Sequence, residues 1–514
     1  MLEHTLRERD EHMEEKLHKL KSLLARVHDL ETAAGLLSWD QETYMPAGGA
    51  EARAEQVATL GRLAHEFFTS EEIGNLLVSL EPYARKLEYD SNDASLVRVT
   101  RRDYDRAIKL PSELVAEIAR TGALARQVWK EAKETSNFSI FRPYLEKIVE
   151  LCVQKAQALG YEDRIYDALL DEYEPGMKAS RIEKIFADLK TELVSIVGAI
   201  SVCEKPDDSF FHKEYGERAQ WDFGIEVIKD FGFDLNHGRQ DVSAHPFTTA
   251  FSIKDVRLTT RIQKDYLPSG LFSTLHECGH GLYQQGFDLS LERTPLAGGA
   301  SLGVHESQSR LWENLIGRSR LFWNHYYPRL KEIFPTQLKG VSLEQFYQAI
   351  NRVEPSLIRV EADEATYNLH IMLRFELENA LLEGRVKVKD LPKVWNAKME
   401  EYLHVVPPND GQGVLQDIHW SQAYMGYFPT YSLGNLMSAQ LFQCATQEIP
   451  SLPQQIGSGQ FRDLLDWLQK NVHRHGRKLT MAELLQRITG KPLEAQSYLA
   501  YIREKYSDIY GDLS

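Results

Sequence analysis

The segment LHECGH, residues 275–280, places two histidines four positions apart, with a glutamate directly after the first. Residues i and i+4 of an α-helix lie on one face a turn apart, so His276 and His280 can bind one metal ion. Glu277 then lies beside the ion without binding it, where it can take a proton from water. The spacing predicts a hydrolytic metal site. The competing interpretation is an ordinary helix that carries these residues by coincidence.

A catalytic zinc site needs a third protein ligand and keeps its fourth position open. The glycine-rich segment LAGGASLGVHESQSR places Glu306 26 residues after His280, on what we predict to be the next helix. His305 is the rival ligand, but adjacent helical residues do not share a face, which favours Glu306. GGASLG lacks the GK[ST] tail of a phosphate-binding loop, so the segment does not predict a nucleotide site.

The segment SLIRVEADEATYNLH carries an arginine with acidic and aromatic neighbours. If the segment is helical, Arg359, Asp363 and Tyr367 share one face, since they are spaced by four residues. We predict an arginine fork, held by Asp363, that faces an anionic substrate group. The alternative is an ordinary ion pair on a helix surface.

The segment GVLQDIHWSQAYMGYFPTY is rich in glycine, histidine, tryptophan and tyrosine. The side chains that could donate hydrogen bonds to an oxyanion are His419, Tyr424, Tyr427 and Tyr431. Each alone is typical of a packed aromatic side chain or a core histidine, but together they favour a functional cluster. By contrast, we predict NVHRHGRK, which contains His473, to be a solvent-exposed helix end and not a metal site.

Helices must position most of these residues. Apolar residues recur at three-to-four spacing over 1–200, including a charged amphipathic start, and helices are also predicted at 304–333, 341–385 and 391–404. Over 256–261, Val256 and Leu258 alternate with polar residues, which predicts a strand just before the metal helix. We expect that helix to stop near Gly286. The chain is predicted to be mainly α, with a small β-sheet beside the active site.

The chain has 514 residues, and we predict one catalytic domain over 1–514. Its N-terminal helical part would cover about 1–240, and the part with the metal motif about 241–514. The net charge of −15 argues against nucleic acid or an anionic membrane as partner. Four cysteines without CxxC spacing and a charged start without a signal peptide predict a cytoplasmic protein.

Five segments resemble, in order, the signature blocks of the thermostable carboxypeptidase Taq family of metallocarboxypeptidases: DVRLT, HECGH, HESQSR, IRVEAD and GVLQDIHW. The segments WDQETYMP and GYFPTY are also similar to that family. The resemblance implies a mostly helical molecule with a deep central groove and a small sheet at its wall, similar to neurolysin and angiotensin-converting enzyme. It also implies a homodimer that releases single C-terminal residues from peptides with broad specificity.

The resemblance implies that His276, His280 and Glu306 hold the metal and that Glu277 is the general base. Two imidazoles and a carboxylate in an open tetrahedral site are typical of zinc, one ion per chain. Cobalt and manganese are compatible with the same ligands.

The resemblance further implies that Arg359 and His419 bind the substrate or stabilise the transition state. For capture of the terminal carboxylate, Arg359 is the first candidate and Arg257 a weaker one. Tyr427 and Tyr431 both fit the tyrosine that stabilises the oxyanion in neurolysin-like relatives. The strand near 255–261 could align a peptide by strand addition.

Two other functions are compatible with the sequence. A metallo-oligopeptidase that cuts internal bonds of short peptides would share the groove and the metal motif. A metal-stabilised scaffold or peptide-binding module would share the motif without turnover. A requirement for a free peptide C-terminus distinguishes a carboxypeptidase from the first, and turnover itself distinguishes it from the second.

Overall fold

Helices dominate the computed structural model, which describes residues 2–513 and their side chains from residue 11 onward. The side chains of the predicted amphipathic start therefore lie partly outside the described residues. The helices that precede the sheet are α1 (Leu2–Thr43), α2 (Ala50–Phe68), α3 (Glu71–Ala84), α4 (Asn92–Lys109), α5 (Ser112–Glu134), α6 (Phe138–Leu159), α7 (Ile165–Tyr173), α8 (Ala179–Ser201) and α9 (Glu217–Asp230). The prediction of helices over residues 1–200 is confirmed.

A small sheet follows α9 and consists, in the described chain, of β1 (Gly238–Val242), β2 (Thr248–Ser252) and β3 (Asp255–Thr260). The central strand is β3, which pairs parallel to β1 and antiparallel to β2. Val256 and Leu258 of β3 are fully buried, whereas Arg257 between them is only half-buried. The alternating pattern thus predicted this strand correctly, because one face of the sheet packs on the helical body.

The metal-motif helix, α10, spans Leu267–Gln285 and ends at the predicted Gly286. The helices after it are α11 (Leu302–Arg310), α12 (Arg320–Ile333), α13 (Leu343–Ile350), α14 (Glu364–Leu382), α15 (Leu391–Leu403), α16 (Pro429–Glu448), α17 (Leu452–Gly457), α18 (Arg462–Asn471), α19 (Met481–Thr489) and α20 (Gln496–Tyr510). A π-helical segment, Leu311–Ile316, continues α11 directly. The predicted helix over 304–333 is therefore two helices and a π-turn.

The predicted helix over 341–385 is wrong in its middle, because α13 ends at Ile350 and α14 begins at Glu364. Pro355 lies in the gap, and proline disfavours helix both at its own position and at the residue before it. Asp363 caps α14 by accepting hydrogen bonds from the backbone N–H groups of Ala365 and Thr366. Residues 359–367 therefore do not form a continuous helix face.

Two apolar cores hold the described side chains together. The larger runs from α5 to α20 and includes the buried face of α10. The smaller lies between α1, α3 and α4 and takes in Leu291 and Leu296 from the loop after α10. Among the described residues, no helix combines the length and apolar composition needed to span a membrane.

Helices α10 and α11 approach each other closely at Gly279. A Cβ atom at this position would lie 2.6 Å from the backbone oxygen of Gln308 and 2.6 Å from Cα of Ser309. Only a glycine permits this approach, because those neighbours are backbone atoms that cannot turn away. The contact brings residue 280 of one helix next to residue 306 of the other.

We predict that Gly279→Ala lowers the free energy of unfolding by about 1–3 kcal/mol, because the methyl group forces α10 and α11 apart. Gly198→Ala in α8 is the matched control, since a Cβ there has no atom within 4 Å. We expect it to be neutral or stabilising by up to about 1 kcal/mol, as alanine is the better helix former. Chemical denaturation measures both, and equal stabilities for the two variants would contradict the close contact.

Candidate metal centre and active site

The two histidines lie on one face of α10, as the sequence predicted. The helix begins after Tyr266, and Pro268 lies in its first turn, where a missing N–H costs nothing. The imidazole rings of His276 and His280 have their centroids 4.9 Å apart. Both side chains keep some exposure, 20% and 16%, so small molecules can reach the site from solvent.

Glu306 of α11 completes the cluster. Its Oε2 lies 3.8 Å from Nε2 of His276 and 3.7 Å from Nε2 of His280. Ligands about 2.0–2.1 Å from a tetrahedral ion lie about 3.4 Å apart, so small movements suffice to bind one. Among the described side chains this is the one group of three or more potential ligands close enough to share an ion. The donor set fits a divalent metal.

Each candidate ligand has a neighbour that holds it, and for His276 and Glu306 the sequence did not reveal that neighbour. Glu313, in the π-helical segment, has its Oε2 2.9 Å from Nδ1 of His276. Arg310 donates from Nε to Oε1 of Glu306 at 2.7 Å and lies 3.2 Å from Glu313. Such partners fix the ring orientation and the protonated nitrogen of a metal-binding histidine. Glu313 lies seven residues, about two turns, after Glu306, and that spacing is the signal that could have found it.

His305 contacts the other histidine and lies outside the group of three candidate ligands. Its Nδ1 lies 2.7 Å from Nδ1 of His280, on the side of that ring opposite Glu306. Gln284 contacts its second ring nitrogen at 2.9 Å. Burial lowers the pKa of His305 to about 4, so the ring is neutral near pH 7. The choice of Glu306 over His305 agrees with this geometry.

Glu277 lies beside the cluster and is almost completely buried. The hydroxyl of Thr248, on β2, lies 2.7 Å from Oε2 of Glu277 and 2.9 Å from its backbone oxygen. Burial raises the pKa of Glu277, which makes its carboxylate a better proton acceptor. The sheet therefore orients the residue that the sequence assigned as the general base.

Arg359 is buried, but its predicted partner is wrong. Asp363 caps α14, and the carboxylate on Arg359 is that of Asp417, 3.0 Å from Nε and 2.9 Å from Nη2. Nη1 donates to the hydroxyl of Tyr367 at 2.9 Å. Arg374 binds the other oxygen of Asp417, with Nε 2.7 Å away. The sequence missed this partnership because it joins segments far apart in the chain.

Asp417 and the two arginines bound to it together carry more positive than negative charge. Burial would raise the pKa of Asp417, but Arg359 and Arg374 outweigh it and hold that pKa well below its usual range. Burial lowers the pKa of His370 well below its usual value, so this ring adds no charge. Two guanidinium groups thus share one carboxylate in a buried place. A second anion next to Arg359 would balance the charge.

Arg257 lies on β3 and is bound by Asp255, with Nε 2.9 Å and Nη2 3.0 Å from its carboxylate oxygens. Its guanidinium group lies over the ring of Trp39, 4.4 Å from the centroid, and 4.9 Å from that of Phe251. Trp39 is near the end of α1. Arg257 therefore joins α1 to the sheet, and its role in substrate binding stays a prediction.

His419, Tyr427 and Tyr431 form one aromatic group. Nε2 of His419 lies 3.3 Å from the hydroxyl of Tyr431, and the two tyrosine rings have centroids 5.4 Å apart. Burial lowers the pKa of His419 to about 4 and raises the pKa of both phenols. The nearby Glu306 carboxylate raises the pKa of Tyr427 further. All three side chains are therefore neutral hydrogen-bonding groups close to the metal cluster.

Tyr424 is 42% exposed and stacks on Tyr427 at the surface. The predicted solvent exposure of His473 is wrong: its side chain is completely buried, and Nε2 lies 2.9 Å from the amide oxygen of Gln308. The charged neighbours misled the prediction, because the turn after α18 folds back onto α10 and α11. Cys278 is fully buried in the larger core.

We predict that Glu313→Gln weakens metal binding about 10- to 100-fold, because His276 loses a charged hydrogen-bond acceptor. The matched control is Glu332→Gln in α12, whose side chain is 70% exposed and pairs only with Arg329 in the same helix. We expect that variant to bind metal like the wild type. Competition against a chelator of known affinity measures both. A change of less than about twofold for Glu313→Gln would contradict the supporting role.

Comparison with known proteins gives a consistent picture. The sequence model of the carboxypeptidase Taq (M32) metallopeptidases matches residues 19–506. Thermostable carboxypeptidase 1 of Thermus thermophilus is 43% identical, over 94% of this chain and 96% of that protein. Carboxypeptidase 1 of Bacillus subtilis is 37% identical, over 95% of this chain and 97% of that protein.

Solved structures agree with the sequence comparison. The M32 carboxypeptidase of Deinococcus radiodurans has a TM-score of 0.94 and 40% identity, over 97% of this chain and 100% of that chain. The carboxypeptidase of Pyrococcus furiosus has a TM-score of 0.92 and 38% identity, over 96% and 99% of the two chains. The relatives are carboxypeptidases, which favours that activity over an oligopeptidase. The mainly α fold and the metallocarboxypeptidase function are confirmed: the chain belongs to the carboxypeptidase Taq (M32) family of metallopeptidases.

Proposed function

We propose that this metallocarboxypeptidase removes single C-terminal residues from peptides with broad specificity, with Glu277 as general base. His276, His280 and Glu306 would hold the ion, which when bound supplies Lewis acidity to water and to the scissile carbonyl group. Glu277 takes the proton of the attacking water and passes it to the leaving amine. Thr248 keeps this carboxylate in place during both transfers, since its hydroxyl lies 2.7 Å away.

The observation that carries the proposal is the excess positive charge at Arg359. Two guanidinium groups share Asp417, and a buried net charge is costly unless a counter-ion balances it. A peptide's terminal carboxylate is such a counter-ion, and arginine binds carboxylates through two parallel hydrogen bonds. Peptides without a free terminal carboxylate could not balance the charge. This would explain why the enzyme cleaves only at the C-terminal end of a peptide.

Contacts between side chains connect Arg359 with the metal ligands. Nη1 of Arg359 donates to the hydroxyl of Tyr367, and the Tyr367 ring lies 4.7 Å below the guanidinium carbon of Arg310. Arg310 in turn donates to Glu306. The carboxylate site and the metal cluster therefore belong to one continuous set of contacts. A substrate held at Arg359 would present a nearby peptide bond to Glu277.

We assign oxyanion stabilisation to His419, Tyr427 and Tyr431 as a group. The support is their neutral state: the phenols keep their protons, and the imidazole of His419 is uncharged, so each can donate a hydrogen bond. Donors of this kind contribute about 3–4 kcal/mol to a transition state. Both tyrosines remain in the proposal. The Glu306 carboxylate also raises the pKa of Tyr427, and Tyr431 contacts His419.

We further propose zinc as the ion, one per chain, since two imidazoles and one carboxylate are its usual catalytic ligands; cobalt and manganese would fit as well. The four free cysteines support a reducing, cytoplasmic environment. A homodimer and a single catalytic domain over residues 1–514 rest on the resemblance and on the absence of linker-like segments in the sequence. Metal analysis and sedimentation of the purified protein test the ion and the dimer.

We predict that Glu277→Gln lowers kcat about 10²- to 10⁴-fold, because the amide cannot accept the proton of water. The metal content should stay at the wild-type level, since Glu277 is not a ligand. Peptide hydrolysis followed by mass spectrometry and metal analysis of the same sample measure both. Retained activity in a fully metal-loaded variant would exclude Glu277 as the base.

We predict that Arg359→Lys lowers kcat/KM for peptides with a free C-terminus about 10- to 100-fold, because lysine cannot form the paired hydrogen bonds of a guanidinium group. Arg329→Lys, at a half-exposed position of α12, is the matched control and should act like the wild type. Against C-amidated peptides the wild type should be inactive. Equal cleavage of free and amidated peptides would refute the carboxylate site.

A further inference from the structure

One buried carboxylate holds the loop that carries His419. The loop runs from residue 417 to residue 428, between the Asp417 cluster and α16. Glu378 of α14 is completely buried beneath it. Its Oε1 accepts a hydrogen bond from the indole Nε1 of Trp420 at 2.9 Å, and its Oε2 accepts one from the backbone N–H of Gly426 at 3.1 Å.

The residues that donate these two hydrogen bonds are chain neighbours of two proposed oxyanion donors. Trp420 directly follows His419 in the chain, and Gly426 directly precedes Tyr427. A third donor, the hydroxyl of Tyr166 on α7, binds Oε2 at 2.7 Å and fixes the carboxylate from the opposite side. One side chain therefore binds the residue next to His419 through its indole group and the residue next to Tyr427 through its backbone.

The loop needs such support because its backbone is strained. Ala423 has φ of 60°, in the left-handed region, which costs a residue with a Cβ free energy. Gly426 has φ of 95°, which glycine adopts without strain. A Cβ on Gly426 would lie 2.9 Å from backbone atoms of Leu169 and Leu170, so the loop is pressed against α7. Strained backbone of this kind persists only where its surroundings hold it.

We propose that Glu378 is the positioning residue that sets the distance between His419 and Tyr427. This inference rests on the proposed function, because the two residues act as oxyanion donors there. Glu378 does not touch the substrate. It acts through the chain neighbours of the two catalytic groups, and its loss would misplace both groups without disturbing the metal ligands on α10 and α11.

Replacement by glutamine distinguishes this role from simple filling of space. The indole N–H of Trp420 and the backbone N–H of Gly426 can only donate, so each needs an oxygen. A glutamine has one oxygen and one NH₂ group. Whichever way its amide is turned, one of the two N–H groups faces another donor. Glu378→Gln thus keeps the shape and breaks one of the two hydrogen bonds.

The first test compares Glu378→Gln with Glu376→Gln. Glu376 lies on the same helix two residues earlier, on the opposite face, where it binds Lys398 and Tyr402. We expect Glu378→Gln to lower kcat on the order of 10- to 100-fold, since small misplacements of catalytic groups have effects of this size. KM and metal affinity should stay within about threefold of the wild type. Glu376→Gln should keep the wild-type kcat.

If Glu378→Gln does not fold, Trp420→Phe provides the same test, because it removes the bond on the His419 side and leaves the carboxylate in place. We expect a loss of kcat on the same order, again without loss of metal. The proposal is overturned if the folded variants of Glu378 and Trp420 keep kcat within about twofold of the wild type. It is also overturned if metal loss accounts for the whole decrease.

A spectroscopic measurement keeps the result independent of turnover. In protein labelled with ¹⁵N-tryptophan, the indole N–H signal of Trp420 is assigned by its absence in Trp420→Phe. We expect this signal to shift in Glu378→Gln and to stay unchanged in Glu376→Gln. An unchanged signal in Glu378→Gln overturns the proposal. If the wild type itself releases no C-terminal residues, the proposed function fails, and the indole signal still shows whether Glu378 holds the loop.

Discussion

The close approach of α10 and α11 is the contact on which the active site depends. Neither helix can form the metal cluster alone, because His280 lies on one and Glu306 on the other. Gly279 permits the approach on one side, and Gly434 of α16 permits another, since a Cβ there would lie 2.6 Å from side-chain carbons of Glu306. Glu306 is thus held between two helices, with little freedom for its carboxylate to turn.

Buried charge is the second constraint. At two places, buried carboxylates and arginines pair with each other but leave a net charge. Near the metal, the carboxylates of Glu306 and Glu313 face Arg310, Arg318 lies 3.5 Å from Glu313, and the buried carboxyl group of Glu277 lies beside them. Near the proposed substrate site, Arg359 and Arg374 face the single carboxylate of Asp417. The first group has an excess of negative charge, which suits a cation. The second has an excess of positive charge, which suits an anion, so in the proposed function each group is completed by what it would bind.

Local chemistry was predictable from the sequence, and long-range pairing was not. His276 and His280 needed only the helical period, and β3 needed only its alternating pattern. The carboxylate on Arg359 was misassigned to Asp363, four residues away, because spacing within a helix was the one distance the sequence offered. The true partner, Asp417, comes close only after α14 and the following loop have folded. His473 was misjudged for the same reason, since its burial depends on packing against α11.

The arrangement of these groups explains why the small sheet and the long loop are both needed. Helix α10 carries the proposed ligands His276 and His280 and also the proposed base Glu277. Strand β2 supplies Thr248, which reaches Glu277 from outside the helix. The 417–428 loop, which α14 anchors through Glu378, carries His419 and Tyr427. In the proposed function, helices supply the metal ligands and the base, whereas the sheet holds the base in place and the loop supplies two of the three oxyanion donors.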